Sequence, residues 1–196
     1  MRKTVYSSAL LLLFLGNSLF SQSFQDVSKE SWFMYWGLGY SSISYPSELQ
    51  DLLDFIDKQD GVTNLSLQLD LLGIYLPFGD KTIGGVIINA VGDRYEKDGD
   101  YIQINQYLYS LSAMHYLGDS FGSGPFLRAD VGLAKMLMQS SDGPDSGSDA
   151  GFGVLVGGGW SFDLGGTRLL LNVNYSYRGV EEETYNTIGL SVGGLF

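Results

Sequence analysis

Six charged residues carry most of the chemistry this chain offers. Arg128, Arg168 and Arg178, and the carboxylates of Asp70, Asp93 and Asp130, fall on the polar phase of segments whose other phase is apolar. A period of two in such segments turns one set of side chains inward and the other outward in a sheet. Guanidinium and carboxylate groups turned into an interior survive as charges only when paired, because desolvation costs on the order of several kcal/mol per ion. Gln68, Asn89, Gln106, Asn172 and Asn174 share the same phase and supply amide donors and acceptors to complete such a network. The reading is an ion-pair network that plugs an interior. Its functional form is a gate that opens a small pore when pairs exchange, and its plain form is static packing.

Other chemistry is thinner. The single histidine, His115, lies on an outward phase near one end of its segment. A Ser–His–acid triad needs three side chains converging at one mouth, and no pattern brings a serine and an acid to His115. No catalytic residue is assigned, and the chain is not expected to be an enzyme. The absence of cysteine removes disulfides, thiolate metal sites, a cysteine nucleophile and a lipid-bearing cysteine. The connections are acidic: Asp51, Asp54, Asp57 and Asp60; Asp142, Asp145 and Asp149; Glu181, Glu182 and Glu183. Carboxylates gathered at one rim have the chemistry for Ca²⁺ or Mg²⁺, but no spacing matches an EF-hand loop. They read as solvated charge and as a candidate surface for an extracellular ligand. Neither metal nor cofactor is expected.

The 196 residues suffice for one domain, and the formal charge of −11 becomes −13 once a leader carrying Arg2 and Lys3 is removed. So acidic a chain is a poor partner for a phosphate backbone, and nucleic-acid binding is not expected. Residues 1–23 read as a secretory signal peptide: Arg2 and Lys3, then an apolar run over 9–15, then Ser18, Ser21 and Ser23 as small residues suited to cleavage. No stretch is long and apolar enough for a membrane-crossing helix. An exported chain of this kind can span a membrane only as a closed barrel.

Eight segments alternate over 31–42, 63–76, 82–94, 101–116, 125–139, 151–162, 167–178 and 184–196. Each is long enough to cross hydrocarbon when tilted. In the second segment Leu65, Leu67, Leu69, Leu71 and Tyr75 are read as sharing one face. Between the first two segments, Leu49, Leu52, Leu53 and Ile56 recur at helical spacing behind Ser47 as N-cap, which reads as a short helix on a rim. Connections are expected to alternate long and short, and the Gly/Ser/Asp stretch over 140–150 is expected to be mobile. The fold class is all-β: an eight-stranded antiparallel up-and-down transmembrane β-barrel over 24–196.

Three stretches carry a family resemblance: Gly-Pro-Phe-Leu-Arg-Ala-Asp-Val-Gly-Leu-Ala (124–134), Gly-Phe-Gly-Val-Leu-Val-Gly-Gly-Gly-Trp (151–160) and Asn-Thr-Ile-Gly-Leu-Ser-Val-Gly-Gly-Leu-Phe (186–196). They resemble the porin-like small outer-membrane β-barrels of the OmpX, OmpA and OmpW type. Gly194 stands where that family usually has a tyrosine. The resemblance implies a bacterial outer-membrane location, lipid as neighbour, and recognition by barrel-assembly machinery through the closing strand ending in Phe196. It implies a structural or interaction role, with small-solute passage as the pore form. Trp32, Trp36, Tyr40, Trp160, Tyr175, Tyr177 and Phe196 are then the lipid-facing or interfacial set. The alternatives are a barrel enzyme acting on outer-leaflet lipid, and a periplasmic lipocalin-like ligand binder with its apolar faces inward.

Overall fold

A strand with one oily and one polar face cannot stand alone, and here eight of them pair edge to edge until the ring closes. A computed structural model describes residues 31–196 apart from Ser120; the leader expected over 1–23 lies outside the described residues. The strands are β1 (Phe33–Ser44), β2 (Thr63–Pro77), β3 (Thr82–Lys97), β4 (Asp100–Tyr116), β5 (Gly124–Ser140), β7 (Gly151–Asp163), β8 (Arg168–Val180) and β9 (Glu183–Leu195). A helix, α1 (Ser47–Asp57), and a two-residue strand, β6 (Ser146–Gly147), lie in the connections. Neighbours in the ring are antiparallel, β1 pairs with β9 to close it, and β6 is appended to β5.

Register sets the barrel's width. Opposite Gly39, the partners run through Gln68, Val91 and Gln106 to Met136 one way, and through Ser191, Asn172 and Gly159 to Phe126 the other. The path therefore returns to β5 ten residues from its start. With eight strands that stagger tilts them by about 35–45° and leaves an interior that side chains fill.

Sidedness follows alternation. Leu65, Leu71, Val86, Leu111, Val131, Val156, Leu171, Val173 and Leu190 are exposed on the outer wall, and Gln68, Asp70, Asn89, Arg128, Asn172 and Arg178 are buried within. An exterior apolar belt of this extent matches hydrocarbon rather than water. Described helices include none long and apolar enough to cross a membrane, so the strands carry the lipid-facing surface.

The structure departs from the sequence reading in four places. The β1–β2 and β2–β3 registers shift around Tyr35–Gly37 and Asp70–Leu72. A bulge there leaves both Leu71 and Leu72 outward and turns Tyr75 inward, fully buried. Pro46, not Ser47, is the N-cap of α1, and no side chain caps the helix. The 141–150 connection is tied down: β6 pairs with Leu137 and Met138, Met136 N–H donates to Ser148 Oγ (2.9 Å), and Asp149 N–H donates to Glu181 Oε1 (3.0 Å). Finally, the connections at that end are not uniformly long. β3 turns into β4 through Asp98 and Gly99, and β8 into β9 through Glu181 and Glu182.

Those two tight turns have positive φ at both central residues: 54° and 101° in the first, 52° and 68° in the second. That is the hairpin geometry matched to strand twist, and it favours Asn-Gly. Two glutamates there are strained by about 1–2 kcal/mol each. Glu182→Gly, which leaves the Glu181 bond to Asp149 in place, is expected to raise the urea midpoint of the vesicle-inserted barrel. The check is tryptophan fluorescence during unfolding, and an unchanged or lowered midpoint would show that the turn holds no such strain.

Candidate functional site

Among the described residues the lumen gathers charge in a confined space, and it is built in three layers. The middle layer is polar. Arg128 on β5 sends Nη1 to Asp70 Oδ2 (2.9 Å) and Nη2 to Asp70 Oδ1 (3.0 Å), a two-pronged grip across the barrel onto β2. The same guanidinium donates Nη2 to Asp130 Oδ2 (2.6 Å) and Nε to both Asp130 oxygens (3.1 Å), two residues along its own strand. Asn89 on β3 donates to Asp70 (2.9 Å) and accepts from Arg178 Nη2 (2.5 Å). Arg178 also reaches Thr187 on β9 (3.4 Å). Ser112 on β4 donates to Asp130 (2.5 Å), and its hydroxyl shares a 2.8 Å hydrogen bond with Tyr75. Six strands are thus cross-linked through side chains, and the Arg128, Asp70 and Asp130 side chains have no exposed surface.

Of the expected pairing partners, Asp70, Arg128, Asp130, Asn89 and Arg178 come together; the rest are dispersed. Within the expected network, Arg178 donates to the Asn89 amide oxygen and the Thr187 hydroxyl. Arg168 lies at the opposite end of β8, its guanidinium carbon 5.3 Å from the Phe33 ring centre and 5.1 Å from that of Phe121. Asp93 stands at the loop end and accepts from Tyr45 (2.8 Å). Asn172 reaches Ser191 (3.5 Å) on the neighbouring strand. Gln68, Gln106 and Asn174 are buried. A Cβ on Gly189 would overlap the Gln68 amide oxygen and meet Asn174 Oδ1 at 2.9 Å, so this glycine makes room for both amides.

Apolar layers seal both ends. Toward the chain termini, Phe33, Tyr35, Tyr75, Ile83, Tyr116, Phe126 and Leu195 pack together, with Phe121 folded onto them from the β4–β5 turn. Toward the loops, α1 lies across the mouth. Leu53 is buried among Ile43, Tyr45, Val91, Tyr95, Ile104 and Tyr185, with Leu49 and Ile56 packed beside it, whereas Leu52 stays exposed. Burial, and then the Asp93 carboxylate, push the Tyr45 phenol above its usual pKa, so it stays a protonated donor. Sequence reasoning passed over Tyr45, which sits in a connection with no periodic signal, and misplaced Tyr75 because a bulge is silent in a pattern of alternating residues.

The outer set is arranged around the seam. Phe196 exchanges backbone hydrogen bonds with Met34 (3.0 and 2.9 Å) and stacks on Trp36 with ring centres 6.5 Å apart. Trp32, Tyr40, Trp160, Tyr175 and Tyr177 are exposed on the wall, and Tyr175 donates to Asn186 (2.7 Å). His115 is outward, with Nδ1 2.8 Å from Thr82 Oγ1. Among the described residues no cluster of three His, Cys, Asp or Glu is placed to hold a metal.

Solved structures share this arrangement. Neisserial surface protein A superposes with a TM-score of 0.60 at 16% identity, over 85% of this chain and 96% of that one. Ail, the attachment invasion locus protein of Yersinia pestis, superposes with a TM-score of 0.50 at 14% identity, over 85% and 99%. The fold is that of the small eight-stranded outer-membrane barrels. No family model matches the chain, and no curated protein matches it. At such identities the likeness is one of fold.

Within this barrel the Arg128 grip is expected to be costly to break, because both side chains of the ion pair are fully buried. Asp70→Asn is expected to lower stability by up to about 3–5 kcal/mol, because it removes one of the two carboxylates around the buried Arg128 guanidinium and leaves Asp130 as its sole ion-pair partner. Tyr45→Phe, which removes one hydrogen bond, is expected to cost about 1 kcal/mol. Urea unfolding in lipid vesicles ranks the two, and equal effects would remove the central role assigned to Arg128.

Proposed function

We propose that the protein is an integral outer-membrane barrel that acts through its outer wall and its loop surface, in a structural or interaction role, rather than by conducting solute through its lumen. The observation that carries this reading is the filled interior: an ion-paired middle layer between two apolar seals, one of them roofed by α1. A gate built on exchanging pairs has to break a buried Arg128 contact and also displace both seals. The export leader read over 1–23 and the apolar outer wall support an outer-membrane location. The names of the similar structures, a surface protein and an attachment invasion protein, support a role at the cell surface. The lipocalin-like alternative is disfavoured because Leu65, Leu171 and Leu190 face outward. A lipid-modifying enzyme is disfavoured because His115 contacts Thr82 rather than an acid.

Planar-bilayer recording of the refolded mature chain tests the sealed lumen. No discrete conductance is expected, and a reproducible unitary step would overturn the reading.

Phe196 is read as the handle for the assembly machinery, since it closes the seam and its ring lies on the outside. Deleting it is expected to reduce the heat-modifiable folded band in cells while leaving refolding into detergent micelles largely intact. Equal loss in both would make Phe196 a stability element only.

A further inference from the structure

The outer wall of β2–β5 breaks the apolar belt in a patterned way. A chain of side-chain hydrogen bonds runs across its loop end, outside the barrel. Arg94 Nε donates to Glu96 (3.1 Å), and Arg94 Nη1 to Gln103 (3.1 Å). Gln103 donates to Asn105 (3.0 Å), Asn105 to Gln139 (3.3 Å), and Gln139 to Asp145 (2.9 Å). The Arg94 guanidinium lies 3.9 Å above the Tyr101 ring. Just below this ladder the wall is dented. Ala90 and Gly92 stand between Leu67 and Leu69 on one side and Asn105 and Tyr107 on the other. The resulting groove of about 310 Å³ is lined by leucines and Tyr107 and crossed at its upper end by Arg94, Gln103 and Asn105. Below it the same wall is apolar, with Leu71, Val86 and Leu111 exposed.

A groove that is oily below and rich in planar amides above, placed on a lipid-facing wall, fits a molecule of the same make-up. Amide and guanidinium groups offer donors and acceptors in fixed planes, which suits a hydroxyl-rich headgroup. Charge adds a third element. Along the described strands only two cations, Arg94 and Lys135, sit on the outer faces. Lys135 is opposite Tyr107, beside the groove, and pairs with no carboxylate among the described residues. In a chain of net charge −11, a cation left free on the lipid-facing wall is matched to an anionic substituent at headgroup depth. We propose that this wall binds one glycolipid of the outer leaflet. An acyl chain lies in the Ala90–Gly92 groove, sugar hydroxyls meet Gln103 and Asn105, and an anionic group meets Lys135. The proposal rests on the outer-wall reading above.

The mature chain refolded in detergent is incubated with three probes, and retention is read by native mass spectrometry. The probes are a phosphorylated, acylated disaccharide, the same disaccharide without its acyl chains, and phosphatidylglycerol. Retention of the acylated glycolipid is expected over both others. Gln103→Ala with Asn105→Ala is expected to weaken it about tenfold, the loss of two ordinary hydrogen bonds. Lys135→Met is expected to weaken retention of the phosphorylated, acylated disaccharide, and unchanged retention in that variant would overturn the proposal as well. Val173→Phe, on the far wall, serves as control and is expected to change nothing. Equal retention of phosphatidylglycerol would reduce the wall to ordinary boundary lipid and overturn the proposal. So would unchanged retention in the double variant, or binding of the deacylated sugar at the same strength. A heat-modifiable band is required of each variant, and Lys135→Met, lying outside the ladder, keeps the test decisive if the double variant does not fold. Loss of that band in the wild type would instead defeat the barrel reading itself.

Discussion

Backbone satisfaction is the constraint on which everything else depends. In hydrocarbon no water is available to an amide or carbonyl, so an open strand edge costs several kcal/mol for each unpaired group. The ring therefore has to close, and it does so where β1 meets β9, with Phe196 and Met34 exchanging hydrogen bonds at the end of the seam. Closure with a ten-residue stagger leaves an interior that side chains fill. From that single requirement come a narrow interior, a wall that must be apolar, and inward positions divided among small residues and large buried ones.

The narrow interior in turn dictates the electrostatics. Charges that face inward are cut off from solvent, and Arg128 answers this by gripping two carboxylates at once while Asn89 and Ser112 take up further carboxylate lone pairs. Apolar layers above and below keep water from competing with these bonds. Helix α1 completes the outer seal with Leu53, so the longest connection serves as packing for the lumen. On the outside, the lipid-facing wall carries a polar ladder on β3–β5 that has no counterpart in the alternation that built it.

Alternation was enough to read eight strands, their sidedness and the inward placing of Asp70, Arg128, Asn89 and Arg178, because a period of two is a local property that survives into the folded state. Exceptions arose where geometry is set by a partner strand. A bulge adds a residue without any mark in composition, so Tyr75 could not be placed from its own neighbours. Tight turns through Glu181 and Glu182 contradict residue preference and hold because the strands on either side continue to pair. The polar stretch over 141–150 carries no apolar anchor, yet backbone bonds to β5 order it.

By itself the chain of residues determined the barrel, the direction each face looks and the stock of charges the interior must accommodate, since these follow from periodicity and from the cost of burying polar groups. Which charges meet was decided only by the tertiary structure. Asp70 and Arg128 lie fifty-eight positions apart, and stagger around the ring, not spacing along the chain, brings them within hydrogen-bonding distance. The outer polar ladder has the same origin: its six side chains come from three strands and a loop, and only register aligns them.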